Sequence, residues 1–327
     1  MTSPAASARA SSAALTHVTY GASPIVGEAG VFIAKERGYF QQQGLDVEIV
    51  SPVRLTDMTA QLATAKLDFG ALTPIAGTFN AMARGIDIQF VAPQEVIPQQ
   101  ARDAGLSVRQ DLLDSGAFKG PQDLRGKTIA WTGPGTTSEL YLFRYLANGG
   151  LTFSDVTLQV MSTPDMVAAL GNKKVEAAWS PEPTPTLMAA QHVGTMVVSL
   201  GQLFPDAPAF FVAASGDTIK NHPDTVNRFV TAHLKAQRDY YTAINQNGAG
   251  RDQIVDILIK YTAIKDRSLY ERMGMPFVDP NDNIDRRLLQ QYQDFFLKQG
   301  EQTQAVDLAA KIDQAAIDYA LKQLGRV

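Results

Sequence analysis

The chain reads as an α/β protein of two lobes with mostly parallel sheets, the second lobe followed by a helical C-terminal tail that returns to the first. Three observations predict this. Its 327 residues exceed what one compact core usually holds. Short alternating or apolar runs are interleaved with helical stretches, which is the pattern of parallel sheets covered by helices. After residue 214 the strand-like runs stop and helical periodicity continues to the end, with no linker between.

Taken in order, Val18 and Tyr20 alternate with polar neighbours as a half-buried strand does, and a helix follows through Ala29, Phe32 and Ile33 until Gly38 interrupts it. Leu45, Val47 and Ile49 then alternate with Asp46 and Glu48, the period of a strand with one wet face. Residues 67–72 read as a buried parallel strand, and Thr73 and Pro74 open a helix with Ile75, Phe79 and Met82 on one side. Ile86, Ile88 and Phe90 alternate again. The stretch 93–122 breaks the pattern around one strand-like piece, 106–109, and reads as a crossover. Strands at 128–131, 156–160 and 175–179, with helices at 138–147, from Thr163 and at 184–191, predict the second lobe. A strand at 210–214 leads back, and helices from Pro223, at 254–261, 288–296 and 308–324 form the tail.

The expected organisation is therefore a first lobe of residues 16–107 plus 211–327 and a second of 108–210. Residues 1–15 are rich in Ala and Ser, carry one Arg and lack an apolar h-region, and read as a disordered leader. Composition narrows the function. With 29 Lys and Arg against 33 Asp and Glu, the net charge of −4 and the lack of a basic run exclude a nucleic-acid binder. The absence of cysteine removes disulfides, thiolate nucleophiles and Cys-based metal sites together. No apolar run approaches the ~20 residues of a membrane span, so no direct membrane insertion is expected.

Candidate site residues lie where strands give way to helices, the edge at which open α/β sheets bind ligands. Gly133, Pro134 and Gly135 precede Thr136, Thr137 and Ser138 at a helix start, so that backbone N–H groups and three hydroxyls face an anionic or strongly polar ligand end. The alternative is a T-x-x-E capping box of Thr136 and Glu139 with nothing bound. Trp179 offers an indole face and Glu182 an acceptor for an amine, amide or hydroxyl; equally, Trp179 is core and Glu182 a helix-terminal charge. The matching edges of the first lobe hold Pro24, Ile25 and Glu28, and Thr73 with Pro74, each also explicable as turn chemistry. Residues 120–128 imitate a P-loop but carry Pro121 where the motif needs Gly, and Lys127 enters a strand. The four histidines are scattered, and neither HExxH nor GxSxG occurs. No catalytic residue, metal site or cofactor is assigned.

The run from Ala34 to Glu48, AKERGYFQQQGLDVE, resembles the A-x-x-x-G-Y-F-x-x-x-G-L-x-V-E segment of the nitrate, sulfonate and taurine binding proteins of ABC importers. That family extends to binders of the pyrimidine precursor of thiamine. Asp123 to Lys127 resembles its D-L-x-G-K, and Trp179 to Pro183 its W-x-E-P. The resemblance covers 18–214 well and the tail loosely. It implies the type II periplasmic binding protein fold with a two-strand hinge, export to the periplasm or another extracytoplasmic space with the leader as a processed N-terminus, a permease as partner, and a monomer. It also makes Pro24 to Glu28, Thr73, Pro74, Thr136 to Ser138, Trp179 and Glu182 cleft-facing. The expected function is capture of a small organic solute, whether a sulfonate, an aromatic or other carboxylate, or a pyrimidine-like molecule, by hinge closure. The alternative is an enzyme on the same fold acting on a pyrimidine or small organic acid. The family's pyrimidine synthase relies on a Cys-rich motif, and this chain has no cysteine.

Overall fold

The computed structural model describes residues 14–327, so the expected leader, apart from Ala14 and Leu15, lies outside the described residues. Ten strands are present among them: β1 (Thr16–Gly21), β2 (Leu45–Val50), β3 (Phe69–Leu72), β4 (Ile88–Ile97), β5 (Ala104–Arg109), β6 (Thr128–Trp131), β7 (Thr157–Val160), β8 (Ala177–Pro181), β9 (Gly194–Ser199) and β10 (Ala207–Ser215). They form two five-stranded sheets, ordered β2-β1-β3-β10-β4 and β7-β6-β8-β5-β9. In each, three neighbours run parallel, β2-β1-β3 and β7-β6-β8. The fourth strand, β10 or β5, runs antiparallel to both its neighbours. Both reversed strands directly follow a crossing between sheets, at 98–103 and 200–206.

Local sequence explains these elements. β1 and β2 pair in register with Val18 opposite Val47 and Tyr20 opposite Ile49, and the apolar members turn inward while Asp46 and Glu48 stay exposed. All four residues of central β3 are buried, as a strand covered on both faces requires. The structure departs from expectation at β4, which runs seven residues past Phe90, through Pro93. A proline there is tolerated because β4 is an edge strand, where no ladder partner needs the missing N–H. The second edge strand, β9, is short and half-buried, and its alternation is too weak to predict.

The tail covers one face of the first sheet. From the Pro223–Tyr240 helix, Phe229 stacks at 4.1 Å on Phe69 and lies 4.8 Å from Phe40 and 5.8 Å from Tyr20. On the other face Phe90 stacks on Phe211 at 4.3 Å. From that pair one apolar cluster runs through Tyr292 and Phe296 of the Arg286–Gln299 helix into Ile129, Tyr141 and Trp179 of the second half. The two halves therefore share apolar packing along a seam, and this seam holds the residues considered next.

The interlobe seam as candidate functional site

Two of the expected groups meet directly. The helix Ala76–Ala83, which follows Thr73 and Pro74, presents the Ala76 N–H to the Gly135 carbonyl at 3.0 Å, across the seam. Pro74 is buried and Thr73 half-buried at this contact. Gly133 and Gly135 have φ of +115° and +70°, a region that favours glycine, and so the turn can fold tightly in front of the Thr137–Asn148 helix.

The hydroxyls of that turn are engaged with one another. Thr136 Oγ1 donates to the Gly133 carbonyl at 2.7 Å, and Ser138 Oγ lies 2.7 Å from both Thr136 Oγ1 and Thr132 Oγ1. Thr137 is half-buried. The T-x-x-E capping box does not form as written, because Glu139 accepts from Gly135 N at 2.7 Å instead of from Thr136 N. Burial raises the Glu139 carboxyl above its ordinary range, opposed by that N–H and reinforced by the charge of Glu301.

The loop after β1 is pinned from several sides. The Pro24 carbonyl accepts from Ala263 N of the tail, Ile25 is 37 % exposed, and Glu28 is wholly buried. Glu28 Oε1 accepts from Ser23 N at 2.6 Å, while Oε2 is buried without a partner. Desolvation lifts this carboxyl to about 8, against the lowering effects of Ser23 N–H and the Tyr20 hydroxyl. Its side chain thus belongs to the interior of the loop.

Trp179 is 2 % exposed and stacks on Tyr141 at 5.5 Å. Glu182 accepts from Thr186 N and Oγ1 at 3.1 and 3.0 Å and from Gly274 N of the tail at 3.3 Å. Beside Glu182 opens a groove of about 360 Å³ lined by Arg102, Thr186, Met196, Arg272 and Gly274. A second, of about 290 Å³, lies on the other side of Arg102, against Asn245 and Arg251.

What joins these groups is a set of residues that sequence reasoning passed over. Glu95, at the end of β4, places Oε2 3.4 Å from where a side chain on Gly27 would begin, next to the β1 loop. Asp103, at the start of β5, offers its carbonyl to Glu182 N at 2.8 Å. Burial raises both carboxyls, Glu95 well above its ordinary range with the charge of Asp103 adding to the effect, while the neighbouring Glu95 works to lower Asp103. Tyr141 and Tyr292 lie near enough that Glu95 raises both phenols further, and their hydroxyls meet at 2.6 Å. Glu95 and Asp103 fall in the stretch 93–122 that breaks the strand–helix pattern, and that break was the sequence signal for them.

Two sheets joined by two crossings, with a seam lined from both halves, define the class of two-lobed binding-protein folds. Solved structures agree with this at the level of the fold. The periplasmic nitrate-binding protein NrtA of Synechocystis superposes with a TM-score of 0.76 over 95% of this chain and 89% of its own, at 18% identity. The periplasmic aliphatic sulphonate binding protein SsuA of Escherichia coli gives 0.73 over 92% of each chain, at 19% identity. The desulfurization enzyme DSZB gives 0.65 over 94% and 99%, at 16% identity, so the fold carries enzymes as well. The sequence profile of the NMT1/THI5-like family matches residues 27–243, and the chain belongs to that family. Among curated relatives, the nitrate/nitrite binding protein NrtA of Nostoc is 23% identical over 250 residues, 72% of this chain and 57% of that protein. The chain thus spans little more than half the length of that relative. The yeast 4-amino-5-hydroxymethyl-2-methylpyrimidine phosphate synthase THI11 is 33% identical, but over only 32% of this chain and 28% of its own.

Proposed function

We propose that this protein is the extracytoplasmic solute-binding component of an ABC importer, capturing a small organic molecule between its two lobes and handing it to a membrane permease. The observation that carries the reading is the seam itself, where polar and aromatic groups from both halves converge across two chain crossings. Membership of the family and the binding proteins among its relatives support it. Among the described residues no helix is long and apolar enough to cross a membrane, which accords with a separate permease. In this reading the lobes divide at the two crossings, 98–103 and 200–206, a few residues before the expected bounds of 107/108 and 210/211. Of the expected contacts, Pro24, Ile25, Thr73, Pro74, Thr136 to Ser138, Trp179 and Glu182 border the cleft, while Glu28 stays inside its loop.

An enzyme on this fold has one observation in its favour, the buried carboxyl pair of Glu95 and Asp103, since groups with shifted pKa collect at active sites. Against it, none of the four histidines reaches the seam: His17, His192 and His222 are exposed and His233 is buried beside Asp282. The deciding experiment is a thermal-shift screen across sulfonates, aromatic acids, nitrate, amines and pyrimidines, with mass spectrometry of each small molecule afterwards. A saturable shift without turnover is expected, and a product from any of them contradicts the binding role. Trp179→Ala and Glu182→Ala are expected to weaken solute binding while leaving the circular dichroism spectrum unchanged; calorimetry showing both binding like wild type would displace the cleft from this position.

A further inference from the structure

We infer that the groove between the first crossing and the tail is a second ligand site, separate from the seam, and that it takes a small organic carboxylate. The groove holds about 290 Å³ and lies between the crossing at 98–103 on one side and the π-helical turn Tyr241–Asn245 with the helix Arg251–Tyr261 on the other. None of the residues expected at the seam lines it, so the site does not depend on what the seam binds.

Its charge is of one sign. Arg102, from the crossing, and Arg251, from the tail, both line the groove, and no Asp or Glu does. Arg102 is exposed, and its guanidinium has no hydrogen-bond or ion-pair partner among the described residues. Arg251 is half-buried and donates through Nη2 to the Tyr270 carbonyl at 2.8 Å, which fixes its guanidinium while Nε and Nη1 stay unengaged. Two guanidiniums facing one groove repel each other, and an anion between them replaces that repulsion with two attractions. The amides of Gln100 and Asn247, both exposed and without side-chain partners, add donors at the rim. On the far side of Arg102 the adjoining groove adds Arg272, and the carboxylate lining that groove, Glu182, is already engaged by Thr186 and Gly274.

The floor sets the rest of the ligand. Ile244 and Met275 are 5 % and 9 % exposed, and half-buried Phe277 completes the apolar surface. An inorganic anion leaves that floor wet. A carboxylate on an aromatic or hydrocarbon body covers it and presents two coplanar oxygens to a guanidinium. The walls are pre-formed, since a side-chain carbon on Gly274 would stand 2.3 Å from the Arg102 carbonyl oxygen and 2.8 Å from Asp103 N. Asn245 is held at both ends, donating to the Pro276 carbonyl at 2.9 Å and accepting from Val278 N at 3.1 Å. A carboxylate bridging Arg102 and Arg251 therefore clips the first crossing to the tail.

The test is titration calorimetry of the full chain at pH 7 with benzoate, its neutral counterpart benzamide, and inorganic sulfate. Saturable benzoate binding is expected, with benzamide and sulfate each at least tenfold weaker. Arg102→Ala changes an exposed residue without partners and should fold as wild type while weakening one class of benzoate site at least tenfold; Arg251→Ala should weaken the same class. Ile25→Asp, which sets a carboxylate on an exposed seam residue and repels an anion there, should leave that class intact. The assignment is overturned by an absence of saturable benzoate binding, or by benzamide or sulfate binding within tenfold of benzoate. A folded arginine variant that binds benzoate like wild type overturns it too, as does loss of the Arg102-dependent class in Ile25→Asp. Each of these outcomes leaves the binding role of the seam to the thermal-shift screen.

Discussion

A carboxyl sealed from water, as at Glu28, keeps its proton until the pH approaches the raised value of about 8. In the unfolded chain the same group titrates near its ordinary 4.5. Below that pH both states are protonated. Between 4.5 and 8 the folded state holds a proton that the unfolded state has lost, so stability declines as pH rises through this window. Glu28→Gln removes the dependence, keeping an acceptor for Ser23 N–H. Urea denaturation should therefore show the variant gaining on wild type by a few kcal/mol between pH 5 and pH 8.5. A difference that does not change with pH would mean Glu28 is not the titrating group. The strand-to-helix turns were legible at this scale because they are marked by Gly, Pro and hydroxyl residues, as in 133–138. Glu95 and Asp103 were not. Their chemistry depends on two carboxyls from separate strands meeting in a dry place, and nothing in a linear sequence records that meeting.

At the scale of elements, the crossings are held by backbone packed against backbone. A side-chain carbon on Gly201 would stand 2.4 Å from the Pro98 carbonyl oxygen, and one on Gly274 would stand 2.3 Å from that of Arg102. The first lies on the return crossing and the second on the tail segment that reaches Glu182. This segment is anchored from behind, where the Pro276 carbonyl accepts from Tyr240 Oη and Asn245 Nδ2, at the π-helical turn Tyr241–Asn245. Gly201→Ala and Gly274→Ala should each destabilise by about 1–3 kcal/mol through forced backbone shifts. A thermal melt unchanged in both would contradict the tight approach. Period-2 alternation made β1 and β2 legible, and the apolar run 67–72 made β3 so. β9 and the far half of β4 escaped because edge strands are only half-buried or interrupted by proline, which weakens their signal.

For the whole molecule, the two halves meet through Ala76 and Gly135, through Tyr141 and Tyr292, and through Glu182 and Gly274. These contacts and the apolar cluster shared by the halves lie along the seam, so a solute that bridges the halves should determine how often they are made. The tail contributes Tyr292 and Gly274 to that closure, a role that its helical periodicity did not announce. The chain contains no cysteine, which allows spin labels to be placed at two chosen positions without background. Lys66→Cys and Lys174→Cys are both at exposed sites, one in each half. The distance between labels there, measured by double electron–electron resonance with and without the solute that binds best at the seam, tests the central claim most directly. The account predicts a broad distribution without solute that narrows and shortens when the solute is added. An identical distribution in both conditions would contradict a cleft that closes on its ligand.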